Sequence, residues 1–266
     1  MKRNPSFKLR NLNIPVVLAI LLVHVMAAIA PFYFSWSALL VFLVLTPIST
    51  LSVTLCYHRL LTHRSFDTPK WFEYLLTIVT TLSWQGGPMT WVGNHRIHHK
   101  YSDMEGDPHT PNDGFSWSHL WWMLFNSPDD PRKVTLDLQR DNVMVWIDKL
   151  FWLPQVVLGI VLYYTLGLEC LLWGVGLRTV CVFHFTWFVN SAAHTWGYRN
   201  FETNDNSRNL WWVAILSFGE GWHNNHHHQQ SSAQHGMMPG EFDFTYQVIR
   251  FLEKVGLASK VIQPRP

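Results

Sequence analysis

Four long apolar stretches, separated by polar segments, dominate the pattern of the chain. Residues 15–34 and 37–56 form one pair, and residues 151–168 and 170–190 form a second pair. Arg178 is the only charged residue within them. A helix needs roughly 20 mostly apolar residues to cross the hydrocarbon core of a bilayer. The pattern therefore predicts an all-α integral membrane protein whose four transmembrane helices form two hairpins.

Two polar, aromatic-rich segments lie outside these stretches. Residues 57–149 and 191–266 are predicted to form a helical cap on one side of the membrane. Inside the cap, a helix is expected at residues 70–83, and a tryptophan-rich helix at 115–125 is expected to lie in the membrane interface. Because no internal repeat or low-complexity segment divides the chain, we predict a single domain over residues 1–266.

Basic residues around the apolar stretches set the predicted orientation. These basic residues are Lys2, Arg3, Lys8 and Arg10 before the first stretch, and Arg59, Arg64, Lys70, Arg96 and Lys100 after the second. The turns inside the two hairpins carry no Lys or Arg. Because short cytoplasmic segments are enriched in Lys and Arg, both termini and the cap are predicted to be cytoplasmic. The formal net charge is only +2, so a nucleic-acid partner is not expected.

Eight histidines stand in three clusters just outside the predicted spans. A histidine in or beside a bilayer costs free energy unless a partner holds it, so eight of them at regular spacings indicate a functional site. Neutral imidazole is the commonest protein ligand for mid-series metals. The clusters are His58 and His63; His95, His98 and His99; and His223, His226 and His227.

Spacing within the clusters favours two metal ions. The second and third clusters share an i, i+3, i+4 pattern, which places their side chains close together on a helix. His58 and His63 are five residues apart, so on an α-helix they would diverge by roughly 140°. We therefore expect each of these two to bind a different metal. The two metals are expected to divide the adjacent histidines of the other clusters in the same way.

Other kinds of metal site fit less well. A mononuclear zinc site uses three or four ligands, and eight is a large excess. Soluble di-iron carboxylate bundles need two Glu-x-x-His pairs, but only Glu220 and His223 form one. The three cysteines form no CxxC pair, which argues against a thiolate site. The predicted ligand set is therefore almost entirely imidazole.

Several further residues are assigned supporting roles. His194 is a ninth candidate ligand, and Asn190, one turn before it, is a candidate to hold a metal-bound water. Carboxylates are expected to accept hydrogen bonds from the outer ring nitrogens. The candidates are Asp67, Asp103, Asp107 and Glu220. The remaining histidines are expected to have packing, surface or supporting roles: His24, His109, His119, His184, His228 and His235.

These motifs resemble the three histidine boxes of the membrane fatty acyl desaturases. The boxes are His58-Arg-Leu-Leu-Thr-His63, His95-Arg-Ile-His-His99 and Gly219-Glu-Gly-Trp-His-Asn-Asn-His-His227. The similar branch contains stearoyl-CoA desaturase and the bacterial and cyanobacterial Δ9 acyl-lipid desaturases. Asn190-x-x-x-His194 and Asp107-Pro-His109 also match, and the similarity runs from about residue 40 to residue 240.

The resemblance implies four membrane helices under a cytoplasmic cap that holds two Fe²⁺ ions. The nine implied ligands are His58, His63, His95, His98, His99, His194, His223, His226 and His227. It also implies a kinked acyl tunnel, lined near its bend by Gln85, Trp91 and Thr186.

The implied reaction is an O₂-dependent desaturation of a saturated fatty acyl chain. Two hydrogens leave neighbouring methylenes and give a cis double bond between carbons nine and ten. Electrons are expected from a separate donor, ferredoxin. The implied location is the plasma or thylakoid membrane of a bacterium or cyanobacterium.

Two departures from the acyl-CoA enzymes bear on the substrate. Where those enzymes carry Arg-Asp before the second box, this chain has Gly93-Asn94, and where they carry Arg-Lys it has Asn126-Ser127. The phosphates of CoA are normally bound by Arg and Lys. We therefore expect an acyl chain esterified in a membrane glycerolipid, with acyl-CoA as the alternative.

Two other functions remain open at this stage. A membrane hydroxylase could use the same metal chemistry and would differ in its product. A metal transporter would place its polar residues near the middle of the spans, whereas these histidines lie at the ends.

Overall fold

The computed structural model describes residues 9–127 and 130–265, and the regular elements in these ranges are helices. Lys2, Arg3 and Lys8, whose positive charges favour a cytoplasmic N-terminus, lie outside the described residues. The helices are α1 Ile14–Ile29, α2 Trp36–Ser52, α3 Lys70–Thr81, α4 Pro88–Tyr101, α5 Phe115–His119, α6 Leu136–Gln139, α7 Asn142–Lys149, α8 Leu153–Leu166, α9 Leu168–Leu171, α10 Arg178–Ser191, α11 Trp211–Leu216, α12 His223–His228 and α13 Phe244–Lys254.

Three continuous helical segments are long and apolar enough to cross a membrane. They cover Ile14–Phe32, Trp36–Thr62 and Leu168–His194. A fourth candidate is the pair α7 and α8, which is bent by 54°. Leu18, Leu21 and Leu22 of the first segment are each more than half exposed, as lipid-facing side chains are. The predicted all-α integral membrane protein is confirmed.

Two π-helical segments lie within the membrane helices. Val53–Thr62 continues α2, and Leu172–Leu177 joins α9 to α10. A π-helix pairs residue i with residue i+5 instead of i+4 and is often found at functional sites. The first segment therefore changes the direction of the side chains that follow the second span.

Turn chemistry fixes the two hairpins. Ser35 caps α2, because its hydroxyl accepts a hydrogen bond from the backbone N–H of Ala38 at 3.1 Å. Gly167 separates α8 from α9 with φ +96°, a conformation that glycine adopts without a steric cost. Across the turn at Gly167, α8 packs on α9, whereas α1 and α2 both pack on the π-helical segment Leu172–Leu177 of the last span.

Arg178, the one charge in the apolar stretches, is fully buried. Its guanidinium donates to four neutral groups: the carbonyls of Gly174 and Leu82, the Ser49 hydroxyl and the Gln155 side-chain oxygen. These acceptors come from the second span, the end of α3, α8 and the π-helical segment of the last span. Because a charge in this environment is costly without partners, the hydrogen bonds fix the packing of these elements.

The cap has its own apolar core beneath the polar surface. Leu60, Leu61, Phe66, Met144 and Ile249 are each almost fully buried there. The helix expected at 70–83 is observed as α3. The expected continuous helix at 115–125 is wrong, because α5 ends at His119 and a 3-10 turn follows at Trp121–Leu124. Trp117 is 5% exposed and α5 packs on α10, so tertiary packing holds this helix.

Candidate metal centre

Nine histidines from four parts of the chain converge into two adjacent groups. In each group, one potential ligand atom per residue lies within 4.8 Å of every other. Group A contains His58, His63, His95, His99 and His226, and group B contains His98, His194, His223 and His227. These are the nine histidines singled out from the sequence. The structure brings all of them together at the junction of spans and cap.

Two short helices supply most of the histidines in the two groups. Helix α4 sends His95 and His99 into group A and His98 into group B. Helix α12 divides its histidines similarly, with His226 in group A and His227 in group B. Adjacent residues diverge by about 100° on a helix, so each helix contributes to both groups. The adjacent histidines therefore lie in different groups, an arrangement that fits the expected division between two metals.

His58 and His63, which were expected to bind different metals, lie in the same group. Both belong to group A, with ring centroids 4.7 Å apart. The reason is the π-helical segment, in which the His63 N–H donates to the His58 carbonyl at 3.1 Å, an i→i+5 bond. This bonding places residues five apart above one another. The histidines of α4 and α12 are therefore the ones that divide between the two groups, whereas His58 and His63 do not.

The ring Nε2 atoms point towards one another inside each group. In group A, the Nε2 of His226 lies 3.2 Å from that of His58 and 3.0 Å from that of His99. In group B, the Nε2 atoms of His194 and His223 are 3.0 Å apart. The Nε2 atoms of His63, His98 and His227 are buried and have no hydrogen-bond partner among the residues that the structure describes. Facing lone pairs and unpartnered nitrogens fit a donor set that converges on metal ions.

Burial keeps six of the nine imidazoles neutral. Burial is the largest cause that lowers the pKa of His63, His95, His99, His223 and His226 well below the ordinary value, and neighbouring histidines lower it further. Burial also lowers the pKa of His227 to about 4. A neutral ring has a free lone pair, which is the form that binds metal.

Carboxylates hold the outer Nδ1 atoms of four histidines. The Nδ1 atom of His58 lies 2.5 Å from Glu220, and that of His98 lies 2.9 Å from Asp107. The corresponding distances are 3.1 Å from His194 to Asp103 and 2.8 Å from His227 to Asp205. Such partners fix ring orientation and tautomer. Each carboxylate therefore orients one imidazole towards its group.

Two carboxylates differ from the sequence expectation. Asp67 is wrong as a partner, because its side chain is 51% exposed and pairs with Lys260 at 2.8 Å. Asp205 was missed, since it lies in the irregular segment between α10 and α11 with no spacing signal. The contact between this loop carboxylate and a helix distant in sequence depends on the tertiary structure, so no local sequence pattern predicts it.

Glu220 is itself held in a buried ion network. Arg59 is fully buried and donates to Glu220 at 3.0 Å and to Asp243 at 2.9 Å. Its Nη1 also donates to the Ala233 carbonyl at 2.6 Å. Arg59 therefore joins the first histidine box to the chain after the third box, and it is not one of the exposed basic residues that flank the span.

The three residues assigned to a tunnel form one hydrogen-bonded unit beside group A. The Gln85 Nε2 donates to the Thr186 hydroxyl at 2.9 Å, and the Trp91 indole N–H donates to Gln85 at 3.1 Å. The Trp91 ring centroid is 5.2 Å from that of His95. Asn190 lies in the last turn of α10, half-buried, one turn before His194.

Comparisons with known proteins agree with this arrangement. A family model described as fatty acid desaturase matches residues 34–235. The chain is 49% identical over 237 residues to an sn-1 stearoyl-lipid 9-desaturase of Anabaena variabilis, covering 88% of this chain and 87% of that protein. It is 48% identical over 248 residues to the Synechocystis protein of the same name, covering 91% and 78%.

A third relative extends the same pattern. An sn-2 palmitoyl-lipid 9-desaturase of Nostoc is 43% identical over 251 residues, which cover 91% of this chain and 88% of the relative. The family match covers three quarters of the chain and includes all three histidine boxes. On the strength of the motifs, the two histidine groups and these similarities, the chain belongs to the fatty acid desaturase family, whose members are oxidoreductases.

Proposed function

We propose that this protein is an O₂-dependent di-iron desaturase that introduces a cis Δ9 double bond into acyl chains of membrane glycerolipids. The observation that carries the proposal is the pair of buried histidine groups beneath a membrane-facing bundle. Similarity to relatives named as stearoyl-lipid and palmitoyl-lipid 9-desaturases supports the substrate class and the bond position.

The nine histidines of groups A and B would hold two iron ions, one in each group. Bound iron supplies the reduction of O₂ that drives the removal of two hydrogens from the acyl chain. The protein orients the imidazoles through Glu220, Asp107, Asp103 and Asp205, and it buries group B completely. Asn190 is proposed to hold a water at this centre.

Position 93 supports a substrate without CoA. A Cβ atom added to Gly93 would overlap the backbone carbonyl of Pro131. An arginine at this position, as the acyl-CoA enzymes carry, would require the segment around Pro131 to move. The backbone contact at Gly93 therefore disfavours an arginine there, in addition to the missing positive charges that CoA phosphates would need.

The direct test follows the double bond from its first appearance. The chain is expressed with ferredoxin in a host unable to make unsaturated chains, and a short labelling pulse precedes separate analysis of acyl-CoA and glycerolipids. We expect the new double bond first in intact lipids, between carbons nine and ten. First appearance in acyl-CoA would overturn the lipid assignment, and an alcohol in place of an alkene would indicate a hydroxylase.

We further propose that the cap and termini face the cytoplasm and that electrons come from ferredoxin. Arg64 and Lys100 are exposed on the cap beyond the second span, which supports this orientation. Cys56, Cys170 and Cys181 lie within the spans, so these three thiols cannot supply the four ligands that an iron–sulfur cluster needs.

We expect Asp205→Asn to weaken iron binding by about 10–100-fold, the usual cost of losing an outer partner of a ligand. The substitution removes the charge that holds His227 at 2.8 Å. Titration of the metal-free protein with Fe²⁺ against a competing chelator measures the effect. Asp67→Asn is the control, because that exposed carboxylate pairs only with Lys260 in the described structure. Equal affinity in the two variants would contradict the role of Asp205.

We expect Gln85→Leu to reduce desaturation about 10-fold and to spread the double bond over more than one position. The change keeps a similar volume but leaves the Trp91 N–H without its acceptor, at a cost of about 1–3 kcal/mol. Mass spectrometry of the products measures both effects. Gln247→Leu, on the exposed face of α13, is the control. Unchanged bond position in Gln85→Leu would remove Gln85 from the tunnel.

A further inference from the structure

Several group A histidines lack a partner on the outer ring nitrogen. His58 has Glu220 directly, but the Nδ1 atoms of His99 and His226 are buried without a hydrogen-bond partner in the described residues. Group B is better supplied, since three of its four members have a carboxylate. A buried N–H without an acceptor costs about 1–3 kcal/mol, so these atoms need explanation.

One buried imidazole outside the nine lies against His226. His235 is 0% exposed, and its ring centroid is 4.4 Å from that of His226 with the rings tilted by 35°. The Nδ1 atom of His235 lies 3.2 Å from the Glu220 carboxylate. Within the described residues, neither ring nitrogen of His235 makes a hydrogen bond that meets the geometric criteria, and the Nδ1 atom of His226 is likewise buried without one. Two unpartnered ring nitrogens therefore belong to neighbouring rings.

The backbone holds His235 in this position from both sides. Its N–H donates to the Asp243 carboxylate at 2.7 Å, and its carbonyl accepts from the Asn225 side chain at 2.8 Å. Asn225 precedes His226 on α12, so the two histidines are fixed to the same element. These backbone hydrogen bonds keep the His235 ring next to the His226 ring.

We propose that His235 is a positioning residue that connects His226 to Glu220. A neutral imidazole has one donor and one acceptor. The acceptor, Nε2, takes the Nδ1–H of His226, and the donor, Nδ1–H, is directed to Glu220. Glu220 then orients two histidines of group A, His58 directly and His226 through His235. The proposal rests on the proposed iron centre and adds to it a residue outside the histidine boxes.

The test compares iron release from His235→Leu, His235→Gln and His228→Leu, each loaded anaerobically with Fe²⁺. Leucine fills the space but removes both hydrogen bonds, whereas glutamine keeps an acceptor and a donor. His228, exposed and stacked on Phe201 with centroids 4.1 Å apart, is the matched control. The measurements are the rate of iron extraction by a chelator, the bound iron per chain and the Tm of the metal-free protein.

We expect His235→Leu to release one of two irons about 10–100-fold faster, with the second iron unchanged. His235→Gln is expected to stay within a few-fold of the unmodified protein, and metal-free Tm values are expected to agree. Extraction from His235→Leu at the unmodified rate would overturn the proposal, as would equal losses in the leucine and glutamine variants. A lowered Tm of metal-free His235→Leu would replace it with a role in folding.

Extraction requires no turnover, so the two proposals can fail separately. An unmodified protein that makes no alkene, while His235→Leu still releases one metal ion faster, would overturn the desaturase function and retain the role of His235. If the unmodified protein makes the alkene and His235→Leu releases iron at the unmodified rate, the desaturase function would stand and the role of His235 would be overturned.

Discussion

His227→Ala is expected to abolish desaturation and to remove one of two bound irons, whereas His228→Ala keeps both. His227 lies in group B with a buried, unpartnered Nε2, and Asp205 holds its other ring nitrogen at 2.8 Å. Group B contains four buried histidines in the described part of the chain, so the loss of one imidazole leaves three. The loss should exceed the roughly 10–100-fold effect of removing an outer partner.

The two adjacent histidines make a controlled comparison. His228 follows His227 on the same helix but is exposed and stacks on Phe201. Iron content and alkene yield of the purified variants measure the difference. Substantial activity in His227→Ala, or loss of iron in His228→Ala, would show that the register of the third histidine box is shifted by one residue.

Arg59→Met is expected to destabilise the protein by about 3–5 kcal/mol, the range for breaking a buried ion pair by removing one partner. Methionine fills part of the space but leaves the carboxylates of Glu220 and Asp243 buried without their cation. Both are less than a tenth exposed. At about 2–4 °C per kcal/mol, the Tm should fall by about 10 °C. Because Glu220 also holds His58, iron binding should weaken in parallel.

Arg64→Met is the matched control five residues later. Its guanidinium is 42% exposed and pairs at 2.8 Å with Asp137, which Arg96 also holds. An exposed pair contributes about 0–1 kcal/mol, so little change in Tm is expected. Thermal unfolding of the metal-free proteins in detergent separates the fold from the metal. Equal Tm values for the two variants would show that the Arg59 network is not required for stability.

Local pattern predicted the membrane helices and the eight clustered histidines, whereas the assignment of His194 depended on the family resemblance. An uncharged, mostly apolar segment of about 20 residues is stable in lipid because of its composition. Apolar residues such as Leu18 and Leu21 therefore predict the membrane helix directly from the sequence. Histidine spacing on α4 and α12 is likewise a local property of a helix. For this reason the division of the adjacent histidines between two groups could be predicted.

The first box shows where this reasoning fails. From the sequence, His58 and His63 were assumed to lie on an α-helix, in which side chains five residues apart point in different directions. The backbone instead forms a π-helix, whose i→i+5 bonds depend on how the end of the second span packs against α3, α4 and α13. A change of one residue in the bonding pattern moves a side chain to another side of the helix, and sequence spacing alone does not reveal it.

By itself, the sequence determined that this protein is helical, lies in a membrane and carries an imidazole-rich metal site, because these properties follow from composition and short-range spacing. Only the tertiary structure decided which histidines share a group and which carboxylates hold them. Asp205 reaches His227 across 22 positions of the chain, and His235 reaches Glu220 across a break in helical structure. Contacts of this kind depend on the path of the chain through space, which no local periodicity encodes.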